Sequence, residues 1–182
     1  TIVLVLAAVF VYQESSYDAF EKELETIAHI NDSFGELGKY FSELSEEKGG
    51  LYAFDVLRSA FLAPNIDVHL LAHIVGDELY VQEGLSGMQF CTREFRNACS
   101  HSIVIGSLLE RGESVFDEVH EVCKKAPGGK GAYTMCFHGF GHGVLAFNEY
   151  EMSDAMTMCK RVGTDEYNNR EYKECVGGAV ME

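Results

Sequence analysis

The 182-residue sequence has no tryptophan, only two prolines and few basic residues. Fourteen Lys and Arg stand against 29 Asp and Glu, a net charge of −15 with histidines neutral. So few cations, and none clustered, argue against a nucleic-acid binder, because phosphate neutralisation needs grouped Lys and Arg. Docking on a strongly anionic membrane surface is disfavoured for the same reason. No C-x-x-C or C-x-x-C-H occurs among the six cysteines, all of which fall between Cys91 and Cys175. A zinc ribbon, a thioredoxin-type redox pair and covalent c-type haem therefore have no footing. Nor is there a dinucleotide fingerprint: Gly139-x-Gly141-x-Gly143 lacks a preceding strand and the required spacing. Apolar residues at 47% and charged residues at 24% exclude wholesale disorder and collagen-like repeats. Period-two alternation is scarce, so the fold class expected is all-α.

The chain opens with Thr1-Ile-Val-Leu-Val-Leu-Ala-Ala-Val-Phe-Val-Tyr12, a run without a charge. As a helix it spans about 18 Å, short of the roughly 20 residues a bilayer needs, and reads as part of a membrane anchor over residues 1–14. A buried strand or short core helix is the alternative, since the run is rich in Val and Ile. Residues 15–50 turn amphipathic: Phe20, Leu24, Ile27, Phe34, Leu37, Phe41 and Leu44 recur at helical spacing between Glu and Lys. This predicts a helical stalk of one or two helices, weakened around Gly35 and Gly38. Gly49-Gly50 marks the boundary with a globular domain over residues 51–182.

Within that domain a unit recurs. Cys99-Ser-His101-x4-Gly106 matches Cys136-Phe-His138-x4-Gly143, and each first Cys is followed by another at Cys123 and Cys159. Asp67-Val-His69 followed by Cys91 extends the frame upstream, and Cys175-Val-Gly177 opens a further copy that is cut off at Glu182. The starts at 67, 99, 136 and 175 give periods of 32, 37 and 39. Each unit reads as a helix-turn-helix, three plus a truncated fourth. Pro64-Asn65 starts the first leading helix, Ser114 caps a second helix through Val122, and Ser153-Asp154 caps another to Cys159. Lys124 to Tyr133, with Pro127, Gly128, Gly129 and Gly131, reads as a loop.

The frame pairs the cysteines, because the Cys that closes one unit is followed by the Cys that opens the next. The expected bridges are Cys91–Cys99, Cys123–Cys136 and Cys159–Cys175, which need an oxidising compartment; buried free thiols are the competing reading. The layout resembles secreted, disulfide-linked tetratricopeptide-like repeat proteins over Asp67 to Glu182, in spacing more than in residues. The strings Asp67-x-His69-x3-His73-x2-Gly76, Cys136-Phe-His138-Gly-Phe-Gly-His142-Gly143 and Cys175-x2-Gly178-x2-Met181-Glu182 also resemble a group of microbial exported Cys/His-rich proteins. That likeness implies export and no particular activity.

Numbered from each unit's start, offset +2 holds His69, His101, His138 and Gly177, and offset +6 holds His73, Ile105, His142 and Met181. Residues four apart share a helix face, so His69 with His73 and His138 with His142 form H-x3-H pairs able to grip one metal. Repeat stacking puts equivalent positions on one surface. The candidate metal set is His69, His73, His101, His138 and His142, with Met181 as a soft addition; packing histidines are the alternative. His29 and His120 fall outside the frame and read as solvated positions. Imidazoles suit copper and zinc, and a thioether tilts toward copper. Neither pair carries the Glu of the zincin pattern, which disfavours protease chemistry. Non-covalent haem flanked by Phe137, Phe140 and Phe147 stays open. Asp77, Glu78, Glu149, Glu151 and Glu182 read as a solvated face rather than as partners of the histidines.

Two functions are expected from this pattern. One is a membrane-anchored extracytoplasmic metal-binding module, either a metal chaperone or an accessory subunit with protein partners in a membrane complex. The other is a structural or interaction protein that binds no metal. Whether the chain is itself an enzyme is left open by the sequence.

Overall fold

The computed structural model describes residues 18–181, and these contain helices and turns but no strand. The expected anchor over residues 1–14 lies outside the described residues. Within them, no helix is long and apolar enough to cross a membrane.

Residues 18–30 are helical and are called α1; α2 is Phe34–Lys48 and α3 is Gly50–Ser59. The α1–α2 break falls at Asn31-Asp32, not at Gly35 or Gly38. Asn31 accepts a hydrogen bond from the Ala63 amide at 3.1 Å, which docks the turn onto a distant segment. Gly38 is buried in α2, where an added Cβ would meet Ile74 at 3.2 Å. The apolar stripe of the expected stalk, with Leu37 and Phe41 fully buried, thus packs against α3 and α4 (Val68–Glu83). Gly49 adopts φ 92°, a left-handed value suited to glycine, and separates α2 from α3 where the sequence placed a boundary.

The remaining helices are α5 (Ala98–Arg111), α6 (Val119–Lys124), α7 (Gly129–Phe147), α8 (Met152–Lys160) and α9 (Arg170–Met181). The leading helices lie side by side in chain order, α4 on α5, α5 on α7 and α7 on α9. The segments between them vary. Gly84–Phe90 and Gly112–Asp117 are 3-10 turns, and only α8 is a longer second helix. Asp67, not Pro64, caps α4, its carboxylate accepting from the Leu70 amide. Ser114 donates to the Arg111 carbonyl and caps no helix. The supposed loop from Lys124 to Tyr133 is half helix: α7 begins at Gly129, because Ala132, Tyr133 and Thr134 are buried. Tertiary burial overrides local glycine propensity there.

All three expected disulfides are formed: Cys91–Cys99, Cys123–Cys136 and Cys159–Cys175, with Cα separations of 5.2, 5.6 and 5.5 Å. Among the described residues no cysteine is free. Each bridge ties the segment ahead of a leading helix to that helix, and each contributes on the order of 2–4 kcal/mol.

Candidate metal centre

The close approach of the leading helices begins with glycine. A Cβ on Gly139 of α7 would lie 2.5 Å from the Cα of His101 on α5, and one on Gly143 would lie 3.1 Å from the Cα of Ile105. Gly76 of α4 makes the same allowance for Ser102, whose Cβ would be 2.8 Å away. On its other side α7 meets α9 through Gly141 and Gly178, each with a virtual Cβ 1.9 Å from a carbonyl oxygen of the other helix. Backbones therefore touch where ordinary side chains would hold helices about 8–10 Å apart.

This packing draws all five framed histidines together. His69 and His73 on α4 have ring centres 4.7 Å apart, and His138 and His142 on α7 are 5.0 Å apart. His101 lies between them, 5.8 Å from His69, 5.8 Å from His73, 5.6 Å from His138 and 5.8 Å from His142. Imidazoles bonded at about 2.1 Å to one tetrahedral ion have centres roughly 5 Å apart, and the spacings here are close to that value. One ring nitrogen from each of His69, His73 and His101 lies within 4.8 Å of the other two, and this group, half-buried at His69 and His73 and buried at His101, could hold a metal ion.

Hydrogen bonds select the free nitrogen on α4. The Nδ1 of His69 is 2.6 Å from the Phe95 carbonyl, which can only accept, so Nδ1 carries the proton and Nε2 keeps its lone pair. The Nδ1 of His73 is 3.0 Å from the Ser102 hydroxyl. That hydroxyl directs its own proton to the His73 carbonyl or to the carboxylate of Asp77, so it accepts from Nδ1 and again leaves Nε2 free. Such outer partners orient ligating imidazoles in metal sites. Asp77 is exposed, in keeping with its reading as part of a solvated face, while its carboxylate also lies within reach of the Ser102 hydroxyl. Phe95 reaches His69 from an unusual backbone: Phe95, Arg96 and Asn97 run at φ 50°, 54° and 66°. Three consecutive left-handed non-glycine residues cost on the order of 1 kcal/mol or more each, strain of the kind concentrated at functional sites.

His101 differs from the others. It is 2% exposed, and neither ring nitrogen has a hydrogen-bond partner. Leaving a buried polar atom unsatisfied costs about 1–3 kcal/mol, so two on one ring need a reason. Burial, and then the imidazoles of His73, His142, His138 and His69, hold His101 well below its ordinary pKa. Burial, followed by His69 and His142, lowers His73 to about 4, and burial followed by His142 lowers His138. These rings stay neutral at pH 7, the form that ligates metals. A histidine that burial holds neutral adds no penalty above its unfolded pKa of about 6.5 and destabilises the fold increasingly as pH drops toward the folded value. For His73 the window runs from about 6.5 to about 4 and corresponds to roughly 3.5 kcal/mol at about 1.4 kcal/mol per pH unit. Urea unfolding of the metal-free protein should accordingly show stability falling across that window; a flat profile contradicts the buried neutral cluster.

A cleft of about 560 Å³ opens over the cluster, lined by His69, His101, His138 and His142 together with Met135 and Met181. Met181 stands 69% exposed at its lip. Met135 was not legible as a site residue: it sits one position before Cys136, outside the offsets that carry the histidines. The flanking role considered for Phe137 and Phe140 is overturned, because both are fully buried in the core, against His120 and Phe116. His29 is exposed as expected. His120 is not simply solvated: its Nδ1 is 3.0 Å from the Tyr133 hydroxyl, which donates to buried Glu171.

The fold and site define an all-α, disulfide-stapled protein built around a cluster of imidazoles. No family model, curated protein or solved structure matches the chain.

Proposed function

We propose that this protein is an extracytoplasmic module that binds a transition metal, copper or zinc, through His69, His73 and His101, with His138 and His142 completing the imidazole set. The observation that carries the reading is His101, buried with both nitrogens unpartnered and in ring contact with four other imidazoles. A purely packing histidine gives no reason for that double vacancy in hydrogen bonding. Thioethers of Met135 and Met181 in the same cleft favour copper over zinc. The three disulfides support an oxidising compartment, and the uncharged opening run supports tethering to a membrane. Tethered there, the module serves as a metal chaperone or as an accessory subunit of a membrane enzyme complex.

Elemental analysis of the disulfide-intact protein after exposure to copper or zinc and gel filtration tests the reading. Wild type should retain at least one equivalent. His73→Ala, at a half-buried position, should lower affinity by more than about tenfold, the scale that even outer-sphere changes reach. Wild-type protein that retains no metal refutes the assignment and leaves the structural or interaction role in its place.

A further inference from the structure

Five converging imidazoles exceed what one three-histidine ion uses, and their number matters only if the proposed metal-binding function holds. Helix α5 lies between α4 and α7. The outer helices each present an H-x3-H pair, whereas α5 presents His101 alone, with Ile105 at the position where a second histidine would stand. The His101 ring is nearly equidistant from the two pairs, at 5.8 and 5.8 Å from one and 5.6 and 5.8 Å from the other. One ion on His69, His73 and His101 takes a single nitrogen of the central ring. The opposite nitrogen stays buried without a hydrogen-bond partner.

We infer that the site is dinuclear: His69 and His73 hold one ion, His138 and His142 hold a second, and His101 bridges the two as an imidazolate. Both nitrogens of the central ring then bond, which accounts for the absence of any hydrogen-bond partner at either. The proton balance is simple. Neutral His101 carries one N–H, and the second ion displaces that proton to solvent through the cleft. The resulting negative ring offsets part of the charge of two cations. With metal–nitrogen bonds of about 2 Å on each side of the ring, the ions sit roughly 6 Å apart. Each ion has three nitrogen ligands, which leaves a position for a small ligand from the cleft. Helix α9 lies against this second pair: a Cβ at Gly177 would make an ordinary contact, 3.5 Å from the Nδ1 of His138.

Copper(II) titration of the disulfide-intact protein near neutral pH tests the bridge, with bound metal counted by elemental analysis and unpaired spins by integrated EPR. Two equivalents should bind. The first should add its full spin, and the second should lower the total, because exchange through an imidazolate couples two copper(II) ions antiferromagnetically. His138→Ala with His142→Ala, both at half-buried positions, should hold one copper with its full spin. His101→Gln should give spins that only add, whatever copper it retains. Saturation of wild type at one equivalent, or two equivalents whose spins add, overturns the bridge and leaves the single-ion site standing. Failure of wild type to retain copper or zinc overturns the metal-binding function itself.

Discussion

Alanine at Gly141 is expected to lose more than about 4 kcal/mol of stability, in the exceptional range for a single substitution. The added Cβ would sit 1.9 Å from the Cys175 carbonyl oxygen, 2.8 Å from its carbon and 2.9 Å from the Ala179 amide nitrogen. All three are backbone atoms, so no side chain can swing away. Helix α9 would have to move off α7, yet the Cys159–Cys175 bridge tethers it to α8, which itself packs on α7. Relief would also strip contact from Gly178, whose own Cβ position lies 1.9 Å from the His138 carbonyl. Against a total stability of about 5–15 kcal/mol, such a loss leaves a large unfolded population at modest temperature. Circular dichroism during thermal or urea unfolding measures it. Gly35→Ala is the control: nothing lies within 4 Å of its Cβ position, and it sits exposed in α2. That change should be neutral or stabilising by up to about 1 kcal/mol. Equal stability of the two variants would refute backbone contact between α7 and α9.

His101→Leu should move two properties in opposite directions. Without metal, the substitution removes two unsatisfied buried nitrogens and a ring crowded by four others, so the metal-free protein should gain about 1–3 kcal/mol. With metal, wild type should gain about 2.7 kcal/mol once free ion reaches about 100 times its dissociation constant, and the variant should gain far less. Unfolding curves with chelator and with excess zinc separate the two terms. A histidine kept only for packing predicts the reverse pattern: a less stable metal-free variant and an unchanged response to metal. The same logic explains why a fold would retain such a residue, since functional sites often keep stability-lowering groups.

Much of the candidate site could be read from residues alone, for reasons of periodicity. An α-helix repeats every 3.6 residues, so His69-x3-His73 and His138-x3-His142 had to share faces once their segments were helical. The cysteine frame similarly named all three bridges, because each joins neighbours in the chain and no long-range geometry was needed. Element ends were less legible. Gly35 and Gly38 suggested a break that the Asn31–Ala63 hydrogen bond places earlier, and Gly128-Gly129 looked like a loop that burial of Tyr133 turns into the first turn of α7.

What the sequence by itself determined is therefore local: an all-helical chain, its bridge partners and two histidine pairs in register. Only the tertiary structure decided that these pairs meet. A flat stack of helices would have left two half-sites, whereas glycine at 76, 139 and 143 lets α4, α5 and α7 approach until His101 touches both. The Phe95 carbonyl and the Ser102 hydroxyl that set the imidazole tautomers come from distant segments, and no spacing rule predicts them. Burial likewise moved His73 to about 4, because desolvation depends on every neighbour that excludes water rather than on the residue itself. Helical period is written into adjacent residues; convergence, tautomer and pKa arise from contacts between residues that the chain keeps far apart.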